Sequence, residues 1–271
     1  MRFRTLLAGA AAVAFLVVAA PADAIVGGAP DFAHPYVGIE DNGVFVCTGT
    51  LISPWIMITA AHCFSDSISA YGSVNGVPRV EVTFDQQGLF TTDPHSFVFG
   101  SYYHDPQWCI GCGHGLPGFD THDVAIVVLD QARSGPYAIY PPTLGILDRY
   151  RGQVDLVGYG IQSFAKRDPC SPSCRKQPNA FFTRFAAPAN VIGTNERVGG
   201  EFVKVSADNS QGKGGTCNGD SGGPIFLSGT RIIAAETTFG TNVWCRGIGY
   251  NYRLDTTAAQ SWIAAAIAAH G

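Results

Sequence analysis

Charged residues are scarce in this chain of 271 residues: only 14% are Asp, Glu, Lys or Arg, and the formal net charge is −4. Proteins that bind nucleic acid usually carry basic clusters that neutralise phosphates, and nothing in this composition indicates such a partner. No apolar run after residue 24 approaches the roughly 20 residues of a membrane-spanning helix, so no membrane partner is expected. Hydrophobic residues (46%) and 33 glycines are plentiful instead, which excludes disorder and favours a compact, turn-rich globule.

The first 24 residues have the pattern of a secretory signal peptide. Arg2 and Arg4 supply positive charge, Leu6 to Ala20 form an apolar run, and Ala22-Asp23-Ala24 gives the small-x-small pattern that signal peptidase reads. A membrane anchor is the alternative, but the run is shorter than the roughly 20 residues needed to span a bilayer. We expect cleavage after Ala24 and secretion of the mature chain.

Eight cysteines occur in the chain, and an even number leaves none that must stay unpaired. Exported proteins fold in an oxidising compartment, where cysteines form disulfides. We therefore expect disulfides among Cys47, Cys63, Cys109, Cys112, Cys170, Cys174, Cys217 and Cys245.

Two of the cysteine spacings allow more than one interpretation. Cys109-x-x-Cys112 and Cys170-x-x-x-Cys174 can each close a small loop, or the four residues can cross-pair. With His104 and His114 nearby, a zinc site is the alternative. Disulfides are favoured because export favours oxidation, and a redox-active pair is disfavoured because no βαβ pattern surrounds it.

The chain after residue 24 has the pattern of short strands and turns rather than helices. Strands are predicted within Phe45–Ile52, Trp55–Ala60, Val154–Gly160 and Pro224–Thr238, where β-branched and aromatic residues are bounded by turn residues. Ser134–Asp148, which holds three prolines, is interpreted as a connector between two β-rich halves.

One helix is predicted, at the C-terminal end. Asp255, Thr256 or Thr257 can cap it. Apolar residues recur at helical spacing and share one face: Ala258, Ala259, Trp262, Ile263, Ala266 and Ile267. We expect this face to dock the tail onto the second half of the protein.

A candidate nucleophile, Ser221, lies in Gly219-Asp220-Ser221-Gly222-Gly223-Pro224. The flanking glycines let the backbone approach a substrate closely and adopt turns that a Cβ would forbid. A serine in a glycine-rich loop is usually structural, because its hydroxyl is a poor nucleophile until an oriented base removes the proton. The prediction therefore depends on a histidine and a carboxylate elsewhere in the chain.

His62 and Asp123 meet this requirement. His62 follows an apolar strand and precedes Cys63, which could hold it in place, and no other histidine has both features. Asp123 begins an apolar run that extends to Leu129. A carboxylate there would be buried, which is costly unless it is paired, and a histidine that donates its ring N–H would pair it.

These motifs, together with Ile25-Val26-Gly27-Gly28 and Thr59-Ala60-Ala61-His62-Cys63, resemble those of the chymotrypsin/trypsin family of serine proteases, and of its secreted bacterial members in particular. They occur in that family's order, histidine, aspartate, serine. The resemblance implies an all-β fold of two packed antiparallel β-barrels with a C-terminal α-helix. The first barrel would span residues 25–140 and the second residues 141–271, within one peptidase domain.

The resemblance also implies the role of each site residue. His62 would be general base and then general acid, Asp123 would orient it, and Ser221 would be the nucleophile. The backbone N–H groups of Gly219 and Ser221 would form the oxyanion hole. By the same resemblance, Cys47 would pair with Cys63, and Cys217 with Cys245.

Activation in the family requires a new N-terminal amine, here that of Ile25, which would pair with Asp220. Ala24 is not the basic residue that a trypsin-like activator needs, and the expected signal cleavage site directly precedes Ile25. We infer that signal peptidase itself creates the activating terminus. Cleavage after Ala20, which leaves a four-residue pro-piece, is the alternative.

The specificity pocket implied by the resemblance holds no charge. Trypsin-like members have an aspartate six residues before the serine, where this chain has Gly215. Thr216 follows, and the wall is Thr238-Phe239-Gly240, where the family usually has serine and tryptophan before the glycine. The Thr238 hydroxyl could still contact Asp123. Gly247 and Gly249 are alternatives for a third pocket residue. Cleavage after uncharged residues, bulky apolar ones first, is therefore predicted.

Two rival interpretations remain at this point. Gly219-Asp220-Ser221-Gly222-Gly223 also fits the G-x-S-x-G motif of α/β-hydrolases, but in that fold the acid and the histidine follow the serine, and only His270 does so here. A catalytically inactive homologue that serves as a binding protein is the second rival. For the protease, the expected partners are protein or peptide substrates and protein inhibitors, with no cofactor or metal and a monomeric state.

Overall fold

The structure, a computed structural model, describes residues 25–64, 69–109, 121–164, 178–179, 182–194, 200–208, 212–241 and 244–271. The expected signal peptide, Cys112, Cys170, Cys174 and His114 lie outside these ranges. The described part contains one α-helix, α1 (Thr257–His270). Its strands are β1 (Ala29–Pro30), β2 (Val37–Asp41), β3 (Val46–Leu51), β4 (Ile56–Thr59), β5 (Ser73–Val74), β6 (Val77–Thr83), β7 (Phe97–His104), β8 (Ala125–Leu129), β9 (Gln153–Gly158), β10 (Ser163–Phe164), β11 (Pro178–Asn179), β12 (Phe185–Thr194), β13 (Phe202–Ser206), β14 (Pro224–Leu227), β15 (Ile233–Gly240) and β16 (Ile248–Arg253).

Two closed antiparallel barrels make up the fold. The first barrel has the strand order β2-β3-β4-β8-β7-β6 and closes through the pairing of β2 with β6, while β5 extends its edge. The second has the order β12-β13-β16-β15-β14-β9 and closes through β12 and β9, while β1 extends β12. The predicted all-β class with two barrels and one terminal helix is confirmed.

Alternating burial along the strands explains why these segments form barrels. In β12, Phe185, Ala187, Ala189 and Val191 are buried, the last three in the core of the second barrel, while the residues between them are more exposed. This period of two is the pattern of a sheet with one buried face. The strands predicted from composition around β3, β4, β9, β14 and β15 all form, and no described strand lies in the predicted connector.

A buried arginine ties the two barrels together. Arg184 is 2% exposed, and its Nε donates to Asp31 at 3.0 Å. Its Nη1 donates to the carbonyls of Val37 (3.0 Å) and Phe84 (2.9 Å), which belong to the first barrel. A buried charge is tolerated when it is paired and its donors are satisfied, so Arg184 fixes how the barrels pack and with it the cleft between them.

The terminal helix forms as predicted but docks on the other barrel. Thr256 caps it by accepting the N–H of Ala259 at 3.2 Å. Its buried residues Ala259 and Ile263 belong to a core shared by both barrels, but the strand that the helix contacts most is β8 of the first barrel, and the ring of His270 stacks on that of Tyr103 in β7 with centroids 3.9 Å apart. The expectation of docking onto the second half was therefore wrong. A helix of 14 residues extends about 21 Å, enough to carry the chain back across the molecule.

Candidate active site

His62 is held by its neighbours in sequence and by Asp123. It lies on a single 3-10 turn, Ala61–Cys63, directly after β4. The disulfide between Cys47 and Cys63 fastens this turn to β3. The His62 backbone N–H donates to Oδ1 of Asp123 at 2.8 Å, and its ring Nδ1 lies 2.9 Å from Oδ2.

The Asp123 carboxylate fixes the tautomer of the histidine ring. Asp123 is completely buried, and both of its oxygens face His62. An ionised carboxylate only accepts hydrogen bonds, so Nδ1 of His62 carries the hydrogen. In the neutral ring, Nε2 then holds a lone pair. His62 therefore has the form that a general base requires.

In the loop that carries Ser221, four consecutive backbone carbonyls each accept a hydrogen bond. The Asn218 carbonyl accepts the N–H of Ile161 at 2.8 Å, and the Asp220 carbonyl accepts that of Gly223 at 2.8 Å. Thr48 holds the other two carbonyls, because its hydroxyl donates to Gly219 and its backbone N–H donates to Ser221, each at 2.8 Å.

This arrangement leaves two backbone donors of the loop unused. In a trans peptide the N–H points opposite to the C=O. The N–H of Gly219 shares a peptide unit with the Asn218 carbonyl, and the N–H of Ser221 shares one with the Asp220 carbonyl. Because both carbonyls accept hydrogen bonds from the protein, the two N–H groups point in the opposite direction. Neither N–H donates a hydrogen bond to any residue that the structure describes.

The backbone conformation and packing at position 222 explain why a glycine follows the serine. Its φ is +75°, which L side chains rarely adopt, and an added Cβ would overlap the hydroxyl of Thr59 and the carbonyl of Thr48. The loop packs so tightly on β3 and β4 that only glycine fits.

Ser221 and His62 line one cavity of about 450 Å³. Its other lining residues come from the serine loop, from β15 and from one disulfide: Thr216, Cys217, Asn218, Thr237, Thr238, Phe239, Gly240 and Cys245. Cys217 and Cys245 are bonded to each other. Thus both disulfides implied by the resemblance are present. Thr237 and Asn218 were not identified from the sequence, because their positions in the cavity depend on the fold.

The pocket has no charge at the predicted floor. An added Cβ on Gly215 would lie 2.7 Å from the Cβ and 2.8 Å from the Cα of Ala207, so the packing leaves no space for a side chain there. None of the described residues that line the cavity is a carboxylate, lysine or arginine. At the possible third position, Gly249, an added Cβ would lie 3.5 Å from Oγ1 of Thr216. Gly247 has a φ of +92°.

Phe239, which lines the cavity, stacks on Tyr250. The rings of Phe239 and Tyr250 are parallel to within 8°, with centroids 5.0 Å apart. Thr238 does not make the contact with Asp123 that its hydroxyl allowed; among the hydrogen bonds of the described residues, it accepts the N–H of Tyr252 at 3.2 Å. Among the hydrogen bonds of the described residues, the Asp123 carboxylate is therefore held by the backbone and ring of His62.

The predicted activation pair lies inside the second barrel. Ile25 and Asp220 are both completely buried, and Ile25 packs in that barrel's core. The Asp220 carboxylate accepts the N–H groups of Gly160 and Cys217, each at 2.8 Å. Burial raises the pKa of Asp220 to about 7, against the opposing effect of these two bonds.

Two further carboxyl groups that sequence patterns did not reveal are completely buried near Asp123. Burial raises the pKa of Glu40 to about 8, and it raises that of Glu236 well above its ordinary value, with additional contributions from Asp123 and Glu40. A carboxyl group in a strand ordinarily faces solvent, so neither position indicated a buried polar cluster. At neutral pH Glu40 is therefore a neutral carboxylic acid.

The cysteines give no zinc site in the described part of the chain. Cys109 is disulfide-bonded, so its sulfur is not a thiolate ligand, and its partner lies outside the described residues. His104 contacts the carbonyl of Asp105 through Nδ1. Cys47, His62 and Cys63 lie close together, but the two sulfurs are bonded to each other.

None of the described helices is long and apolar enough to cross a membrane.

Known proteins resemble the chain in sequence. A model of the trypsin family matches residues 25–263. The venom serine protease PTLE1 of the snake Gloydius halys is 26% identical over 199 residues, which cover 72% of this chain and 69% of that protein. Human granzyme M is 25% identical over 226 residues, covering 81% and 79%. These relatives come from animals, so the narrower resemblance to bacterial members is not supported.

Solved structures share the fold. Human heparin binding protein superposes with a TM-score of 0.65 at 19% identity, covering 91% of this chain and 98% of that one. A structure described as HL collagenase superposes with a TM-score of 0.63 at 16% identity, covering 91% and 96%. The family model spans most of the chain. The chain also has two closed barrels and the His62, Asp123 and Ser221 motifs. The chain belongs to the trypsin family of serine proteases.

Proposed function

We propose that the protein is a secreted serine endopeptidase that uses His62, Asp123 and Ser221. The observation that carries the proposal is the hydrogen-bonded pair of His62 and a buried Asp123, on the wall of the same cavity as Ser221. The carboxylate orients the ring and stabilises its protonated form. The export pattern of the first 24 residues supports secretion.

In the proposed reaction, Nε2 of His62 takes the proton of the Ser221 hydroxyl while Oγ attacks the carbonyl carbon of the scissile bond. The N–H groups of Gly219 and Ser221 stabilise the oxyanion of the tetrahedral intermediate. The protonated ring then donates its proton to the leaving amine, and an acyl-enzyme remains on Oγ. A water molecule, deprotonated by His62, hydrolyses this ester and restores the serine.

Substrate preference follows from the uncharged pocket. A lysine or arginine side chain would lose its hydration among Thr216, Thr238 and Gly240 without gaining a carboxylate partner, and an unpaired buried charge costs several kcal/mol. Peptides with Phe, Tyr or Leu before the scissile bond should be cleaved about 100-fold faster, as kcat/KM, than those with Arg.

A library of peptides that vary only in the residue before the scissile bond tests both activity and preference. Hydrolysis must be measured with the purified secreted protein. Faster cleavage after Arg than after Phe or Leu would contradict the account of the pocket but support the protease. No cleavage of any peptide would contradict the proposed function itself.

Activation is proposed to depend on the free amine of Ile25. An ammonium group next to Asp220 would keep its carboxylate charged inside the barrel, where burial otherwise favours the neutral form. N-terminal sequencing of the active secreted enzyme should therefore begin at Ile25. A sequence that begins at Pro21 or elsewhere would refute activation by signal peptidase.

The alternative is an inactive homologue that acts as a binding protein. One structural neighbour is named a heparin binding protein, but at its identity the likeness concerns the fold. The presence of all three catalytic groups and of the two unused N–H groups favours the enzyme.

We further propose that the protein acts as a monomer on proteins or peptides and is a target of protein inhibitors.

A further inference from the structure

Thr48, on β3 of the first barrel, contacts the serine loop of the second barrel with both its side chain and its backbone. It is completely buried. Its hydroxyl donates to the carbonyl of Gly219 at 2.8 Å and accepts the N–H of Tyr159 at 3.2 Å. Its backbone N–H donates to the carbonyl of Ser221 at 2.8 Å.

We propose that the hydroxyl of Thr48 is a positioning group for the oxyanion hole. It fixes the peptide between Gly219 and Asp220, which joins the peptide that carries the Gly219 N–H to the peptide that carries the Ser221 N–H, and thereby fixes how these two donors are oriented relative to each other. The inference rests on the proposed function, because an oxyanion hole has a use only if Ser221 attacks a carbonyl. Thr48 itself does not touch the reacting atoms.

The need for such a group arises from Gly219. Its φ is +94°, and a glycine populates many backbone conformations because no Cβ restricts it. The peptide before Gly219 is held through the bond from Ile161 to Asn218. The peptide after it is held by the Asp220 N–H, which donates to Cys217 at 3.0 Å, and by Thr48 on its carbonyl. Without the hydroxyl, one of these restraints is lost next to a residue whose backbone no side chain restricts.

A second hydrogen-bond chain braces Thr48 from inside the first barrel. The hydroxyl of Thr59 donates to the carbonyl of Thr48 at 3.1 Å, and the same oxygen contacts Oε1 of Glu40. A hydroxyl has one hydrogen and a carbonyl has none. The hydrogen between Thr59 and Glu40 therefore comes from the carboxyl group, so Glu40 acts as a neutral donor. Hydrogen bonds in such chains strengthen one another in a buried environment.

Removing the hydroxyl while keeping the shape of the side chain tests the proposal. In Thr48→Val, kcat should fall about 10- to 100-fold, because the Gly219 carbonyl and the Tyr159 N–H lose their partner and the oxyanion donor is misplaced. KM should change less than about twofold, since substrate binding in the pocket is not affected. Thr48→Ser, which keeps the hydroxyl, should restore most of kcat.

The matched control is Thr50→Val, two residues further along the same strand. Thr50 is also completely buried, and its hydroxyl has no hydrogen-bond partner among the described residues. Its replacement should leave kcat unchanged. Thr48→Ala is measured alongside, because it lacks the hydroxyl without adding a methyl group, and melting temperatures establish that each variant is folded.

The affinity for a peptide boronate distinguishes a positioning role of Thr48 from a general effect on folding. Its tetrahedral adduct places an oxygen in the oxyanion hole, so its affinity should fall in parallel with kcat in Thr48→Val and Thr48→Ala. Unchanged kcat and boronate affinity in folded Thr48→Val, beside an active wild type, would overturn the inference and leave the proposed function intact. A wild type that hydrolyses no peptide would overturn both.

Discussion

Replacement of Ser221 by alanine should lower kcat/KM for the preferred peptide by about a millionfold, the loss typical of triad enzymes that lack their nucleophile. The variant keeps the cavity and the pair of His62 and Asp123, so binding should persist while acyl transfer stops. Peptide hydrolysis and peptide affinity, measured on the same preparation, separate these two effects.

The matched control for this change is Ser228→Ala. Ser228 is an exposed serine in the turn between β14 and β15, and its hydroxyl contacts Asp155. Activity within about twofold of the wild type is expected, as for most surface substitutions. Hydrolysis by pure Ser221→Ala at more than about one hundredth of the wild-type rate would show that another group performs the chemistry.

Replacement of Asp123 by asparagine should lower kcat about 10⁴-fold, the value typical of this change in the family. The structure supplies the reason. The backbone N–H of His62 faces Oδ1 of Asp123, so an asparagine keeps its carbonyl oxygen there and turns its NH₂ group towards the ring. Nδ1 must then accept, the hydrogen moves to Nε2, and the ring cannot take the serine proton.

Asp105→Asn is the control for Asp123→Asn. Asp105 is also almost completely buried, but its carboxylate contacts the backbone N–H of Gln107 and the ring of His122 rather than His62. Its replacement should cost less than about tenfold in kcat. Similar losses in both variants would mean that any buried carboxylate in this region affects activity through folding, contrary to the orienting role of Asp123.

The candidate triad residues could be identified from the sequence because each stands in a local motif, whereas the pairing of the two disulfides came from the resemblance to the family. Ser221, His62 and Asp123 stand in short segments whose neighbours, a glycine pair, a cysteine and an apolar run, indicate their setting. Individual strands were predictable because strand alternation has a period of two that a single segment displays, while their arrangement in two barrels came from the resemblance to the family.

Features that depend on distant contacts could not be predicted in this way. Thr48 is 171 positions from Gly219 along the chain, and nothing in its own segment distinguishes it from Thr50. The apolar face of α1 was evident, but periodicity does not say which barrel covers it. Glu40 and Glu236 lie in strand segments where a carboxylate would ordinarily face solvent, and only the packing of two barrels places them inside.

The most direct measurement of the central claim is labelling by a fluorophosphonate, with the modified residue mapped by mass spectrometry. If His62 activates Ser221, the wild-type protein should take up one label, on Ser221, while His62→Ala and Ser221→Ala should remain unlabelled under the same conditions. A folded wild-type protein with no label, or with the label on another residue, would contradict the triad.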